Sequence, residues 1–296
     1  MSAALASNRA EPFGFPIANP GLVDLLEPFV VVTSFNRPML QLAPYGWSIP
    51  AGNIIDPLRL GSAPFLAQLQ RLDGLTFGPE GMPMDRWVFY DCAELPGAIY
   101  GLGIAPDRLW PWARDLLDLP RGYSALVPLS MYIAIPMRRP GTWFGHNLAS
   151  LGPVLRAQPG CDVELRGLGA LTKALAFRCF DVQQFWGATQ WLSRALFIHT
   201  KFGPLDLQTA YTPAHTESET LTYGFTVTEE KLRASMGDPT VTLQRPEPTR
   251  WIDGHDIAAM QALQDELEAG ARYCVPGAPV HDDAGVRVPI AALDAT

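Results

Sequence analysis

The chain has 296 residues, 48% of them hydrophobic and 18% charged, with 28 prolines and a formal net charge of -8. An ordinary apolar share excludes disorder for most of the chain. At roughly 150 residues per domain, the length gives one or two domains that can bury a core without disulfide or metal staples. An acidic chain without a Lys/Arg-rich stripe lacks the cations that neutralise phosphates, so nucleic acid is set aside as a partner.

The charge is uneven: twelve acidic and six basic residues follow from Glu229 onward, a net of -6, against -2 over the first 228 residues. A charged share below the usual ~25% leaves little polar surface, which favours a homodimer or a large apolar pocket. Met1 to Pro20 holds no apolar stretch of signal-peptide length, and the run Phe29 to Val32 is far below the ~20 residues of a membrane span. Cys92, Cys161, Cys179 and Cys274 are isolated, without CxxC spacing. The expectation is a soluble cytoplasmic protein without structural zinc.

In chain order, Leu22 to Pro57 reads as strands and loops wrapping the body, around the apolar run Phe29 to Thr33. Pro64 opens a helix with Phe65, Leu66, Leu69 and Leu72 on one side. Arg86 to Ala93 and Gly97 to Ile104 read as a hairpin turning at Glu94 to Pro96, followed by a helix from Asp107 to Leu119. Ser124 to Ile135 and Thr142 to Ser150 are strands. Leu168 to Phe180 is the clearest helix, entered through Arg166-Gly-Leu-Gly169. A strand at Phe185 to Trp191 leads to a helix from Ser193, as N-cap, to Phe202, stopped by Gly203-Pro204. Strands at Leu205 to Thr212 and Thr220 to Thr228 follow. The acidic, Pro-rich remainder holds one amphipathic helix, Ile257 to Tyr273, and an irregular end from Val275. It is expected to pack on the body or on a second subunit.

Glu164-Leu-Arg-Gly-Leu-Gly-Ala170 carries the most chemistry. Glycines allow a sharp strand-to-helix turn whose freed N–H groups make an anion site for a pyrophosphate. The turn is neither a Walker loop nor a full GxGxxG fingerprint, and an ordinary strand-to-helix turn is its plain structural reading. The order strand, Gly-turn, helix, strand, helix ending in Phe-Gly, strand, with 36 residues from Gly167 to Gly203, resembles the acyl-CoA-binding half of the GNAT acetyltransferase superfamily. The resemblance runs over about Phe65 to Thr228. There, Gln/Arg-x-x-Gly-x-Gly/Ala precedes the helix that holds the coenzyme's pyrophosphate, and Gly167, Leu168, Gly169 and Ala170 match it. Glu164 stands where the family has Gln or Arg, a poor neighbour for phosphate that Arg166 would offset. Ala195-Leu-Phe-Ile-His-Thr-Lys-Phe-Gly203 is similar to the family's Ala-x-x-Leu-Tyr-x-x-x-Gly. Aligned on Gly203, His199 takes the place of the general-acid Tyr.

The resemblance implies an α/β fold with a GNAT-like mixed central sheet flanked by helices. It implies an N-terminal wrap (1–60), a catalytic or ligand domain (61–228) and an acidic C-terminal extension (229–296). It further implies acyl transfer from a thioester, on CoA or a carrier protein, to a small-molecule amine, with acyl-CoA as cosubstrate and Arg166, Gly167, Leu168, Gly169 and Ala170 as its binding loop. His199 is the expected acid, its unperturbed pKa of ~6.5 lying near working pH. His146, on the strand before the Gly-turn, is a candidate base, and His215, after a strand end, a third lining residue. Asp162 and Glu164 are alternative bases. Each histidine also has a plain reading as a surface or loop hydrogen-bonding residue. No His-Glu-x-x-His or clustered carboxylate–histidine spacing calls for a metal, and no Gly-x-Ser-x-Gly elbow calls for a serine hydrolase. Cys179, in an apolar helix, reads as core, as do the tryptophans. Two other readings stand beside acyl transfer. One is a non-catalytic ligand-binding or assembly protein on the same scaffold; the other is an unrelated small-molecule lyase or decarboxylase using His146 and His215 in one cavity.

Overall fold

A computed structural model describes residues 13–80, 82–85, 97–159, 164–215, 217–282 and 285–293. The expected strand from Arg86 to Ala93, its turn, Cys92, Cys161 and Asp162 lie outside these residues. The first elements are α1 (Gly21–Leu25), β1 (Glu27–Val31) and β2 (Ile54–Ile55), joined by short 3-10 turns, and then α2 (Ala63–Phe77). Pro64 does sit in the first turn of α2, and Phe65, Leu66, Leu69 and Leu72 are its buried stripe. β3 (Ala98–Ile104), β4 (Val127–Pro136) and β5 (Thr142–Ser150) form an antiparallel meander. Between β3 and β4, the helix expected from Asp107 to Leu119 shrinks to α3 (Pro111–Leu116). Proline disfavours helical geometry in the residue before it, and Trp110 is accordingly extended at ψ 135°. Asp118, with φ +53°, turns the chain out of the helix at its other end.

After α4 (Gly152–Arg156) come α5 (Leu168–Cys179), β6 (Gln184–Gln190), α6 (Ala195–His199), β7 (Leu205–Thr209) and β8 (Thr220–Thr226). The N-cap of α6 is Arg194 and not the expected Ser193, whose Oγ accepts the Ala195 N–H at 3.1 Å from just outside the helix; a 3-10 turn prolongs the helix to Phe202 before Gly203 at φ +108°. The rest of the chain contains the expected helix from Ile257, ending at Glu268, but departs from the irregular end expected from Val275. It holds α7 (Glu229–Met236), β9 (Arg250–Asp253), α8 (Ile257–Glu268), β10 (Tyr273–Val275), β11 (Val280–Asp282) and β12 (Gly285–Ala292). α7 is capped by Thr228, whose side chain accepts the Lys231 N–H. β12 is buried continuously over residues 288–291, with Val288 and Ile290 in the core.

One mixed sheet results, in the order β11-β12-β10-β7-β8-β6-β5-β4-β3-β1-β2, with β9 paired to β12. The C-terminal strands extend it edge to edge, since β10 pairs with β7 through Cys274 and Asp206. Helices cover both faces. β4 is buried on both sides from Val127 to Ala134, as a strand between two helical layers must be. On one face, Phe65 of α2 meets Phe29 of β1 edge-on. On the other, Thr172 of α5 bonds Ser130 of β4 at 2.6 Å, and Phe177 packs edge-on against Tyr132. α5 is buried almost all round, Thr172 and Lys173 included, as befits a helix that is apolar on every side. Among the described residues, no helix is long and apolar enough to cross a membrane.

One joint in the middle of this sheet comes apart part-way along. β5 and β6 run parallel and pair over only four rungs, Thr142–Gln184 to Gly145–Gly187. Beyond them β5 stays with β4 and β6 with β8. Ile133 pairs with Asn147 and Ala134 with Gly145, which leaves His146 as the extra residue of a bulge in β5. A bulge bends its strand and breaks the local ladder. The two strands part at that point.

Candidate active site

The parting strands open a cavity of about 420 Å³. Gly145, His146, Asn147 and Leu148 of β5 and Gly187, Ala188, Thr189 and Gln190 of β6 form its opposing walls. Past the last shared rung, neither strand has a ladder partner on the cleft side, so backbone donors and acceptors face the opening. All three candidate histidines reach this one cavity.

His199 ends α6 and is buried, with its ring against Tyr223 and its Nδ1 2.8 Å from Nζ of Lys173. Burial first, and the Lys173 amine second, pull its pKa well below the ordinary histidine range. The imidazole is therefore neutral at neutral pH. A depressed pKa disfavours the protonated ring from which the expected acid role starts. His146 stands at the accessible mouth. Desolvation by the surrounding atoms lowers its pKa while the Asp73 carboxylate opposes that shift. Asp73, on α2, is buried and takes hydrogen bonds from the Met84 N–H and from Asn147 Nδ2, each at 2.7 Å. It fixes the residue next to the bulge. His215 lies exposed in the β7–β8 connection, where its Nδ1 accepts the Glu217 N–H at 3.1 Å. It rims the cavity and is tied up locally.

Lys173 is the residue the sequence did not announce. Its side chain has no exposed surface. Nζ lies 4.3 Å from the ring centre of Phe185, with Phe202 at 5.2 Å, Phe177 at 5.4 Å and Tyr132 at 5.7 Å. Burial in this aromatic shell holds its pKa well below that of a free lysine. A threonine–lysine pair inside a helix reads as a polar stripe, and only α6, β6 and β8 folding over α5 turn that stripe inward.

The Gly-turn occupies a different place. Gly167 adopts φ +84° and starts α5 with no side-chain cap. It lines a second cavity of about 550 Å³ together with Arg166, Leu171, Lys201 and Arg245, closed over by Ile17 to Leu22 and by residues of α7. Glu164 folds back into the turn. Its Oε1 accepts the Arg166 N–H at 2.7 Å, and its Oε2 lies 3.5 Å from Arg166 Nε. Asn19 Nδ2 donates to the carbonyls of Glu164 and Arg166 at 2.9 and 3.2 Å. Glu164 is thereby a turn-closing residue, which leaves little case for it as a base. Leu168, Gly169 and Ala170 are buried in the first turn of the helix. A methyl on Gly169 would come within 3.2 Å of Ile198 Cδ1, so the glycine permits α5 and α6 to approach.

The two cavities are neighbours through shared elements. Lys201 lines the one at the Gly-turn and His199, two residues earlier, lines the one at the cleft. Along α5, six residues or about 9 Å of helix separate Gly167 from Lys173. Among the described residues there is no cluster of three or more His, Cys, Asp or Glu placed to hold a metal ion. Cys179 and Cys274 are buried, with their thiol pKa values pushed up by burial to about 12 and about 11. Such thiols are inert as nucleophiles.

No protein-family model matches the sequence. No curated protein matches it either. Solved structures do resemble it. The ribosomal-protein-S18-alanine N-acetyltransferase of Escherichia coli is 12% identical, with a TM-score of 0.35, over 58% of this chain and 91% of that one. A putative acyl-CoA N-acyltransferase of Klebsiella pneumoniae subsp. pneumoniae is 11% identical, with a TM-score of 0.32, over 56% of this chain and 91% of the other. The CoA-dependent acyl-homoserine lactone synthase BjaI, with SAM and isopentyl-CoA, is 14% identical, with a TM-score of 0.35, over 70% of this chain and 97% of its own. Within the chain itself, β5, the Gly-turn, α5, β6, α6 closing at Gly203 and β7 follow one another as the sequence motifs require. In fold, the chain is a mixed sheet flanked by helices.

Proposed function

We propose that this protein is an acyltransferase that moves an acyl group from a thioester, with acyl-CoA as cosubstrate, to a small-molecule amine. The observation that supports it most is the cleft between β5 and β6, where a bulged strand edge and a neutral, buried imidazole meet in one cavity. The amine nitrogen attacks the thioester carbonyl, the C–N bond forms, and the C–S bond breaks to release a thiolate. The proton shed by the amine passes to His199 and from there to the thiolate sulfur, so that the ring ends as it began. The depressed pKa makes the protonated ring a strong acid that gives its proton up readily to the thiolate, so the imidazole serves as a transient carrier. The unpaired N–H groups of the β5 edge stabilise the oxygen on which charge develops. Arg166, Gly167, Leu168, Gly169 and Ala170 carry the coenzyme's pyrophosphate at the start of α5, where Lys201 adds a positive charge to the same cavity.

The test is thermal melting of the purified protein with and without CoA and acetyl-CoA, followed by assays with a panel of amines. A ligand at 100 times its Kd adds about 2.7 kcal/mol of stability, a shift of several degrees. No shift with either compound, together with no transfer to any amine, refutes the proposal. A second reading, a small-molecule lyase or decarboxylase, draws on one observation: His146 and His215 share a cavity that Gly167 does not line. Turnover of a small acid without CoA would select that reading.

A further inference from the structure

At the apex of the cleft, two tyrosine side chains meet two glycines. Tyr132 comes from β4 and Tyr223 from β8, and both line the cavity while being almost wholly buried. The last shared rung of β5 and β6 is Gly145–Gly187. A methyl on Gly145 would overlap Tyr132 Oη, and one on Gly187 would lie 2.8 Å from Tyr223 Oη. The glycines therefore leave room for the two hydroxyls, one on each side of the point where the strands part. Tyr132 Oη is buried and has no hydrogen-bond partner among the described residues. A buried hydroxyl without a partner is destabilising, so its retention at the apex of a cavity needs a reason. No Asp, Glu, Lys or Arg is among the described residues lining this cavity. A neutral dipole with a strong acceptor atom fits such a lining better than a full charge does.

We propose that the Tyr132 hydroxyl, with that of Tyr223 beside it, is a seat for a carbonyl oxygen of the bound ligand. The identification of that carbonyl as the thioester's rests on the acyltransferase reading. The seat adds a phenol donor to the strand amides, and a carbonyl oxygen has lone pairs for both. Phe77, Met82, Met84, Phe144 and Leu148 line the same cavity, so the group attached to this carbonyl is an apolar acyl chain.

The experiment compares wild type with Tyr132→Phe in binding four probes: butyryl-CoA, S-butyl-CoA, and the same two groups on N-acetylcysteamine, which lacks the nucleotide. Each thioether is its thioester without the carbonyl. Wild type should bind each thioester about fivefold tighter than its thioether, the effect of one neutral hydrogen bond. Tyr132→Phe should erase that preference and leave thioether binding unchanged. Without ligand, the variant should melt no lower than wild type, since it loses an unpartnered hydroxyl; a purely structural role would lower its melting point. Binding of the cysteamine thioester without any effect of CoA would refute the coenzyme reading and leave the seat standing. A wild type that does not distinguish thioester from thioether, a preference that survives Tyr132→Phe, or no binding of any probe at millimolar concentration overturns the seat.

Discussion

Replacing Lys173 by Met removes the buried amine and keeps an unbranched apolar chain of similar length within the ring of Phe185, Phe202, Phe177 and Tyr132. Two effects compete over the charge on this amine. A desolvated ammonium over aromatic faces gains about 2 kcal/mol. Withdrawing an ion from water costs several kcal/mol even after relaxation. The second effect is larger, and burial accordingly holds the Lys173 pKa well below its ordinary value. In the unfolded chain the same amine stays protonated up to ~10.4. Over the interval between the two values the unfolded state binds the extra proton, so stability rises with pH by about 1.4 kcal/mol per unit. Two pH units thus add about 2.7 kcal/mol, a sizeable part of a typical 5–15 kcal/mol total. Lys173→Met lacks this titration. Its urea-derived stability, measured in steps from pH 7.5 to 9.5, should rise less steeply than that of wild type by up to this amount. It should also exceed wild type at pH 7.5, because the penalty for deprotonating the lysine on folding is gone. Groups that titrate in both proteins cancel in the difference. Equal slopes, or a variant less stable than wild type throughout, would refute a neutral Lys173.

Three further substitutions test neighbouring features. Gly145→Ala should cost about 1–3 kcal/mol through overpacking, because its methyl would meet Tyr132 Oη and Phe185 Cζ. Adding Tyr132→Phe should recover part of that loss in urea denaturation. Gly167→Ala meets no atom within 4 Å but must hold φ +84°, so its cost should be the backbone strain alone, about 1–2 kcal/mol. A larger loss would show contacts the geometry does not contain. His199 has a depressed pKa, so below pH ~6.5 the unfolded chain takes up a proton that the native ring refuses, and stability falls with pH until the native ring titrates. His199→Gln should flatten this acid limb relative to wild type, and an unchanged limb would exclude a neutral buried imidazole.

The sequence made the frame legible where local pattern and tertiary role agree. Thr142–Ser150 and the start of α5 at Leu168 follow directly from a β-rich run and a glycine turn. The same was true of Pro64 and the buried stripe of α2. It misled where a neighbour in space decides the outcome. The strands from Val280 onward are short or interrupted by Gly285 and Pro289, and only pairing with one another and with β10 makes them strands. α7 is a highly charged segment whose N-cap, Thr228, looked like the end of the preceding strand.

The site shows the same division at the level of single side chains. Histidine is readable as chemistry wherever it occurs, so His146, His199 and His215 could be picked out, and the parting of β5 and β6 brings all three to one cavity. Lys173 and Tyr132 could not, because a lysine in a helix reads as solvent-facing and a tyrosine in a strand as ordinary packing. What makes them unusual is supplied from elsewhere in the chain. For Lys173 it is six aromatic rings drawn from five elements, with His199 Nδ1 as the hydrogen-bonding neighbour of its amine. For Tyr132 it is a glycine on the neighbouring strand. Glu164 shows the converse. As sequence it is a misfit in a phosphate-binding turn, yet in the fold its carboxylate accepts the Arg166 N–H and holds the turn closed. An incoming phosphate would have to displace that carboxylate or bind beyond it, against Lys201 and the first turn of α5. The Glu164→Gln substitution separates these cases. It removes the negative charge while keeping an acceptor for Arg166, so CoA affinity should rise if phosphate approaches the turn and stay unchanged if it does not.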